Sequence, residues 1–319
     1  MPRDLADVLH YFLPEIDGDA QPGTPPPAAR PADVRPDDPV TDAPSIEAST
    51  PSGEIITGIR RRATPRPPLP ILGLPIGDRD VVRAALVWNL AIETSRLGGT
   101  AVLLAPESDR ASPLWPEAGI GPLGSEVVFC PAQDLSELYA FARDLAVSRA
   151  ERSRQAGIIF VRIPTAWIGT DSFRPTHQPD DRLEVQPEGP DTGTERSLAS
   201  TTLWLLLLSS SNRRDLREAR DLAGRLMESH PEIEIGVTVH GANTISEARC
   251  AFETLARDCE DEFDIALTSY GLLVDDLDVY RAIASQRPIG LAHPHAPAAR
   301  ALTDVAKLLY EDARSRTLG

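Results

Sequence analysis

The chain is short of positive charge: 32 lysine and arginine residues face 48 aspartate and glutamate residues, for a net charge of −16 and an isoelectric point near 4.8. Proteins that bind nucleic acid non-specifically need a cationic surface that releases counterions from the phosphates. This composition therefore argues against a nucleic-acid partner. Cysteine is scarce as well. Cys130, Cys250 and Cys259 are odd in number and lack the spacing of metal ligands, which is consistent with a reducing compartment.

Long apolar runs are also missing. No stretch approaches the roughly 20 apolar residues that a membrane-spanning helix needs, and the first residues are acidic, unlike the basic start of a secretion signal. We therefore expect a cytoplasmic protein that does not bind membranes directly.

Proline and acidic residues are concentrated at the start of the chain. Fifteen of the 30 prolines fall within the first 70 residues, and Met1–Gly58 holds eleven acidic residues against three arginines. Such a composition buries too little apolar surface to offset the entropy lost on ordering. We predict a disordered linker over residues 17–68, a folded domain over 69–319, and a flexible acidic insertion within it at 172–195.

Residues 1–16, ahead of the linker, have the spacing of a short amphipathic helix. A lone helix of three turns is marginal in water, so it needs a surface to bind. That surface belongs either to a partner protein, which we predict, or to the chain's own domain. The candidate partner-binding residues are Leu5, Val8, Leu9, Tyr11, Phe12 and Leu13.

From residue 69 onward, continuous apolar runs alternate with amphipathic stretches. Continuous apolar runs are typical of strands buried on both faces of a parallel sheet, so the pattern predicts a doubly wound α/β fold with helices on both faces. The predicted strands are Pro70–Leu74, Thr100–Ala105, Glu126–Cys130, Gly157–Ile163, Thr202–Ser209, Glu234–His240 and Asp264–Ser269. The predicted helices are Asp80–Leu97, Asp134–Gln155, Asn212–Ser229, Ile245–Asp258, Leu277–Gln286 and Pro297–Ser315.

The order of several segments is similar to that of a known family. "WNLA" at Trp88–Ala91 lies in the first predicted helix, "RLGGTAVLLAPES" at Arg96–Ser108 leads into the second strand, and "GIIFVRIP" at Gly157–Pro164 forms a later strand. In this order and spacing, they resemble the MinD/ParA group of deviant-Walker P-loop ATPases, which includes FlhG. The resemblance covers about three-quarters of the chain and implies that family's α/β fold.

The resemblance also places the family's nucleotide loop on this sequence. With "WNLA" as the anchor, the loop lysine corresponds to Arg83, the Mg²⁺-binding hydroxyl to Ala84 and the second lysine to Asp78. The loop glycines correspond to Arg79, Asp80 and Val82. Arg83 is either a replacement phosphate ligand or a solvated residue on the helix. The candidate residues of a degenerate loop are Gly73, Gly77, Arg83 and Asn89.

The family's acidic positions have changed too. The strand-end aspartate that orders the attacking water corresponds to Ala105 or Pro106, with Glu107 close by, and the second acidic position is Arg162. The asparagine that reads adenine corresponds approximately to His240. These changes predict a pseudo-ATPase with no catalytic residues, no metal and no bound cofactor.

The predicted function is therefore protein binding or regulation, for instance of a cellular assembly or of an active paralogue. Expected partners are a protein that binds the N-terminal segment and a second subunit, in a homodimer or a heterodimer. The alternative is a divergent ATPase or switch that still binds ATP or ADP, with Arg83 on the phosphate.

Overall fold

The computed structural model describes residues 66–112, 115–153, 155–169 and 203–318. The predicted docking segment (1–16), nearly all of the predicted linker and the acidic insertion (172–195) lie outside the described residues. Those predictions, including the six partner-binding residues, therefore remain predictions.

The described residues form an α/β fold around an eight-stranded sheet with the order β3-β4-β2-β5-β1-β6-β7-β8. All neighbouring strands pair in parallel except β3, which runs antiparallel to β4 at one edge. The strands are β1 (Ile71–Ile76), β2 (Thr100–Pro106), β3 (Gly119–Ile120), β4 (Glu126–Cys130), β5 (Gly157–Pro164), β6 (Trp204–Ser210), β7 (Glu234–Ala242) and β8 (Thr268–Val274). The predicted doubly wound class is confirmed.

Helices cover both faces of the sheet, because the chain adds strands on both sides of β1 and right-handed crossovers in opposite directions place their helices on opposite faces. α1, α5, α6 and α7 contact one another, while α3 and α4 form a separate contacting pair. The helices are α1 (Val81–Arg96), α2 (Leu135–Arg152), α3 (Arg213–Ser229), α4 (Ile245–Phe263), α5 (Leu277–Ala284), α6 (Ile289–Ala292) and α7 (Pro297–Leu318). Within the described ranges, none of them is long and apolar enough to cross a bilayer.

Polar side chains fix where several helices begin. Asp80, Asp134, Asn212 and Thr244 each accept a hydrogen bond from the backbone N–H three residues later. Such caps satisfy N–H groups that would otherwise lack a partner in the first turn. The cap of α1 is the one that bears on the candidate site.

The last predicted strand, Asp264–Ser269, was placed about four residues too early. α4 continues to Phe263, and Asp264 ends it in the left-handed conformation with φ 58°. Ile265 and Leu267 are buried in the connection that follows, so their apolar character indicated burial and not strand pairing. The sequence pattern also missed β3 and the one-turn helix α6, since both are too short to show a period.

Candidate functional site

The candidate site lies at the carboxyl edge of the sheet, where the chain passes from β1 into α1. Loops after β1, β2, β5 and β6 meet at this edge because the strands are parallel, and it is where ligands bind in open α/β sheets. The loop between β1 and α1 is short, running from Gly77 to Asp80.

The chain's own carboxylate occupies the start of α1. Asp80 Oδ1 accepts a hydrogen bond from Arg83 N at 2.9 Å, and the Asp80 carbonyl accepts one from Ala84 N at 3.1 Å. In a phosphate-binding loop, the first N–H groups of the helix point at the ligand instead. A phosphate at this position would have to displace Asp80.

The two candidate glycines have different roles. Gly73 lies inside β1, where a Cβ atom would come within 2.5 Å of Tyr139 Oη and 2.8 Å of the Ile163 side chain. Gly73 is therefore a packing glycine of the sheet and is not part of the loop. Gly77 does lie in the loop, but a Cβ there would meet only Thr165 Oγ1, at 3.9 Å.

Arg83 is buried, with 8% of its surface exposed, so its interpretation as a solvated residue was wrong. Its guanidinium lies 3.2 Å from Asp80 Oδ2, 3.5 Å from Asp215 Oδ2 and 3.7 Å from Glu218 Oε1. Three carboxylates of the chain thus surround the one side chain that could replace the phosphate-binding lysine. Lys307, in α7, is the only lysine in the sequence, and it pairs with Asp304.

His240, at the predicted adenine-reading position, lies beside this group. Burial, together with the nearby Arg83, lowers the pKa of His240 to about 4, so the imidazole is neutral at pH 7. The cavity that it lines with Val82, Leu86 and Tyr280 holds only about 20 Å³. That is room for roughly one water molecule, and an adenine ring would need these side chains to move.

A second arginine reverses the charge expected at the end of β5. Arg162 is 1% exposed, and its guanidinium lies 2.7 Å from Asp78 Oδ1 and 3.1 Å from Asp109 Oδ2. The resemblance places a carboxylate at position 162 and a lysine at position 78. Both signs are inverted here, and the two residues pair with each other.

Asp109 was missed by the sequence interpretation, which considered Glu107 instead. Glu107 pairs with Arg110 at the surface, whereas Asp109 turns inward at the end of the short 3₁₀ turn after β2. Burial raises the pKa of the Asp109 carboxyl, while Arg162 opposes this rise. The available signal was the arginine at position 162 within a strand predicted to be buried on both faces, because a buried cation requires a nearby carboxylate.

The two ion-pair groups around Arg83 and Arg162 both lie at this edge, and we refer to their members together as the carboxyl-edge cluster. It contains two arginines and five carboxylates, a formal net charge of −3. Its members are Asp78, Asp80, Arg83, Asp109, Arg162, Asp215 and Glu218. A polyanionic triphosphate would meet repulsion here, and the cluster's cations already have partners.

Asn89, the last candidate residue, lies deeper along α1 and is 6% exposed. Its Oδ1 accepts a hydrogen bond from Ile289 N at 2.8 Å, and its Nδ2 donates to Ala85 O at 2.7 Å. The side chain thus fastens the start of α6 to α1. The structure does not bring Asn89 into the cluster.

No protein-family model matches this chain, and no curated protein matches it in sequence. Among solved structures, the chain is similar to the cell division protein MinD of Aquifex aeolicus, with 16% identity and a TM-score of 0.47 over 75% of this chain and 96% of that one. It is also similar to the MinC:MinD complex of Aquifex aeolicus, with 18% identity, a TM-score of 0.44, and 75% and 95% covered.

A third similar structure is a plasmid partition protein of Borrelia burgdorferi bound to AMPPNP, with 10% identity and a TM-score of 0.42 over 76% of this chain and 99% of that one. The resemblance predicted from the sequence is thus found again among solved structures. At these identities it concerns the fold alone.

Proposed function

We propose that this protein is a pseudo-ATPase with a MinD/ParA-like scaffold that acts as a protein-binding or regulatory module. It works without nucleotide, and its role is the spatial organisation of a cellular assembly or the control of an active paralogue. The observation that carries the proposal is the pairing of the carboxyl-edge cluster within the chain.

Three features at this edge of the sheet support this proposal. Asp80 caps the helix end that would hold a phosphate, and Ala84 offers no hydroxyl for the Mg²⁺ that P-loop enzymes hold through a Ser or Thr. Arg162 holds Asp78 and Asp109, so two carboxylates that could attract Mg²⁺ face a cation already. A site whose arginines already have carboxylate partners, and whose net charge is −3, has little left with which to recognise anionic Mg²⁺-ATP.

Isothermal calorimetry of the full chain with ATP and ADP, with and without Mg²⁺, tests the proposal. We expect no binding up to millimolar nucleotide, while an active MinD-type ATPase titrated in the same buffers gives a clear signal. Binding at micromolar concentration would overturn the proposal in favour of a divergent nucleotide switch. In that case Arg83→Ala should abolish the signal, whereas Arg79→Ala, at an exposed loop position, should leave it intact.

A further inference from the structure

A groove runs along α1, and none of its lining residues belongs to the carboxyl-edge cluster. Its volume is about 520 Å³, within the range of binding clefts, and its walls come from α1, from the chain after β2 and from the end of α5. Its apolar lining includes Val81, Ala85, Trp88, Trp115 and Ile283. We call this the α1 groove.

The α1 groove combines an apolar lining with basic groups at its rim. Val81 is 41% exposed although it is apolar, and Trp88 is only partly buried. Arg110 and Arg287 line the groove and are exposed, with Arg110 also paired to Glu107, and Glu117 is the acidic residue among the described lining residues. A ligand that matches this surface is an amphipathic helix with an apolar face and a negative net charge.

We propose that residues 1–16 of the same molecule dock in the α1 groove. Leu5, Val8, Leu9 and Phe12 recur at the spacing of one helix face, and the segment carries three acidic residues against a single arginine. Both its apolar spacing and its charge complement the groove. A second copy of the groove would instead bring the same basic side chains and so would lack this charge complementarity.

The connecting chain is long enough for this docking. The described domain begins at Arg66, whose side chain donates to the Ser153 carbonyl at the amino edge of the sheet, and the groove begins at the carboxyl edge. β1 covers the distance between the edges in six residues, or about 20 Å at the usual strand rise. A flexible coil the length of residues 17–65 has an r.m.s. span of roughly 35–42 Å, and proline makes such a chain more extended, so the tether is long enough to reach the groove and keeps the segment close to it.

This inference deepens the proposed function, on which it rests. A partner that binds residues 1–16 must compete with the chain's own groove, so docking makes the segment available only to a partner that binds it more tightly. The inference does not involve the carboxyl-edge cluster. Nucleotide calorimetry and the docking test below can therefore fail independently.

Disulfide trapping in the full chain tests the docking directly. Cys250 is the exposed cysteine and is replaced by serine. Cys130 and Cys259 are buried, and burial raises the pKa of both thiols, to about 12 for Cys259, so they stay protonated and do not compete. In this background we introduce Ala6→Cys on the segment and Gln286→Cys on the exposed rim of the groove.

The expected result is a crosslink within one chain that forms at least tenfold faster than in the matched control. That control pairs Ala6→Cys with Glu228→Cys, an exposed position on α3 outside the groove, and reports the tether alone. Leu9→Asp should abolish the acceleration, while His10→Asp, which adds the same charge off the apolar face, should preserve it.

Val81→Asp changes the groove itself, and we expect this variant to fold normally. Val81 is the first residue of α1 and is exposed, and a carboxylate in the first turn stabilises a helix. We expect it to abolish the acceleration as Leu9→Asp does. Equal crosslinking at positions 286 and 228 would overturn the proposal and leave residues 1–16 free for a partner. A crosslinked dimer as the main product would overturn it in favour of a second copy.

Discussion

Replacing Arg162 with methionine tests whether the inverted charges hold this edge of the sheet together. The two carboxylates that contact Arg162 differ in environment: 74% of the Asp78 side chain is exposed, but only 11% of the Asp109 side chain. Removing one partner of a buried ion pair costs about 3–5 kcal/mol because the other charge stays buried, whereas an exposed pair contributes about 0–1 kcal/mol. The loss should therefore come almost entirely from Asp109.

We expect Arg162→Met to lower the free energy of unfolding by about 3–5 kcal/mol at pH 7, measured by urea denaturation. Asp78→Ala should cost less than about 1 kcal/mol, although its contact at 2.7 Å is the shorter of the two. The double variant Arg162→Met/Asp109→Leu should recover most of the loss, since an apolar pair can replace a buried ion pair at little cost.

The pH dependence of Arg162→Met supplies a second readout. Burial raises the pKa of Asp109 in the folded state, and loss of the Arg162 cation should raise it further. A raised carboxyl pKa means that the folded state favours the protonated form, so stability from this group is present at low pH and is lost as pH rises. The difference from the wild type should therefore shrink from pH 7 toward pH 4. If Asp78→Ala proved as costly as Arg162→Met, or if the difference grew at low pH, this account of the cluster would be wrong.

Three further predictions follow from single residues. Because the pKa of His240 is lowered in the folded state, protonation favours the unfolded state, and the wild type should lose up to about 3 kcal/mol of folding free energy between pH 6.5 and 4. His240→Gln should remove this pH-dependent loss, measured by thermal unfolding. Gly73→Ala should destabilise by about 1–3 kcal/mol through overpacking, while Gly77→Ala should stay within about 1 kcal/mol of the wild type in urea. Asn89→Ala should cost about 1–3 kcal/mol in the same assay because it leaves the buried Ile289 N–H unpaired.

The sequence pattern was sufficient for the fold because the strands buried on both faces, such as β6 over residues 204–208, appear as apolar runs. The predicted loss of the nucleotide ligands also depends on identities that can be read directly at positions 78, 83, 84 and 162. The carboxylates that pair with Arg83 and Arg162 could not be predicted from the sequence in this way. Asp109 and Asp215 contact the arginines through the tertiary fold, from loops and helices far apart in the chain.

Arg83 shows most clearly why a local interpretation was insufficient. On a helix considered alone, an arginine near the first turn is expected to be solvated. Its burial here depends on α3, which brings Asp215 and Glu218 against it. The Asn89 side chain was open to the same error, because its acceptor role involves Ile289, 200 positions further along the chain.

The paired inversion at positions 78 and 162 bears on how such a module is regulated. A site that relies on Mg²⁺-ATP to neutralise its charges is stabilised by that ligand in proportion to its concentration. In the carboxyl-edge cluster, Arg162 and Arg83 pair with carboxylates of the chain itself, so we expect the domain to gain little stability from a nucleotide. Under the proposed function, a change of state then requires a different ligand, and residues 1–16 are the candidate that the chain itself carries. The docked and released forms of that segment would take the place of the bound and free nucleotide states.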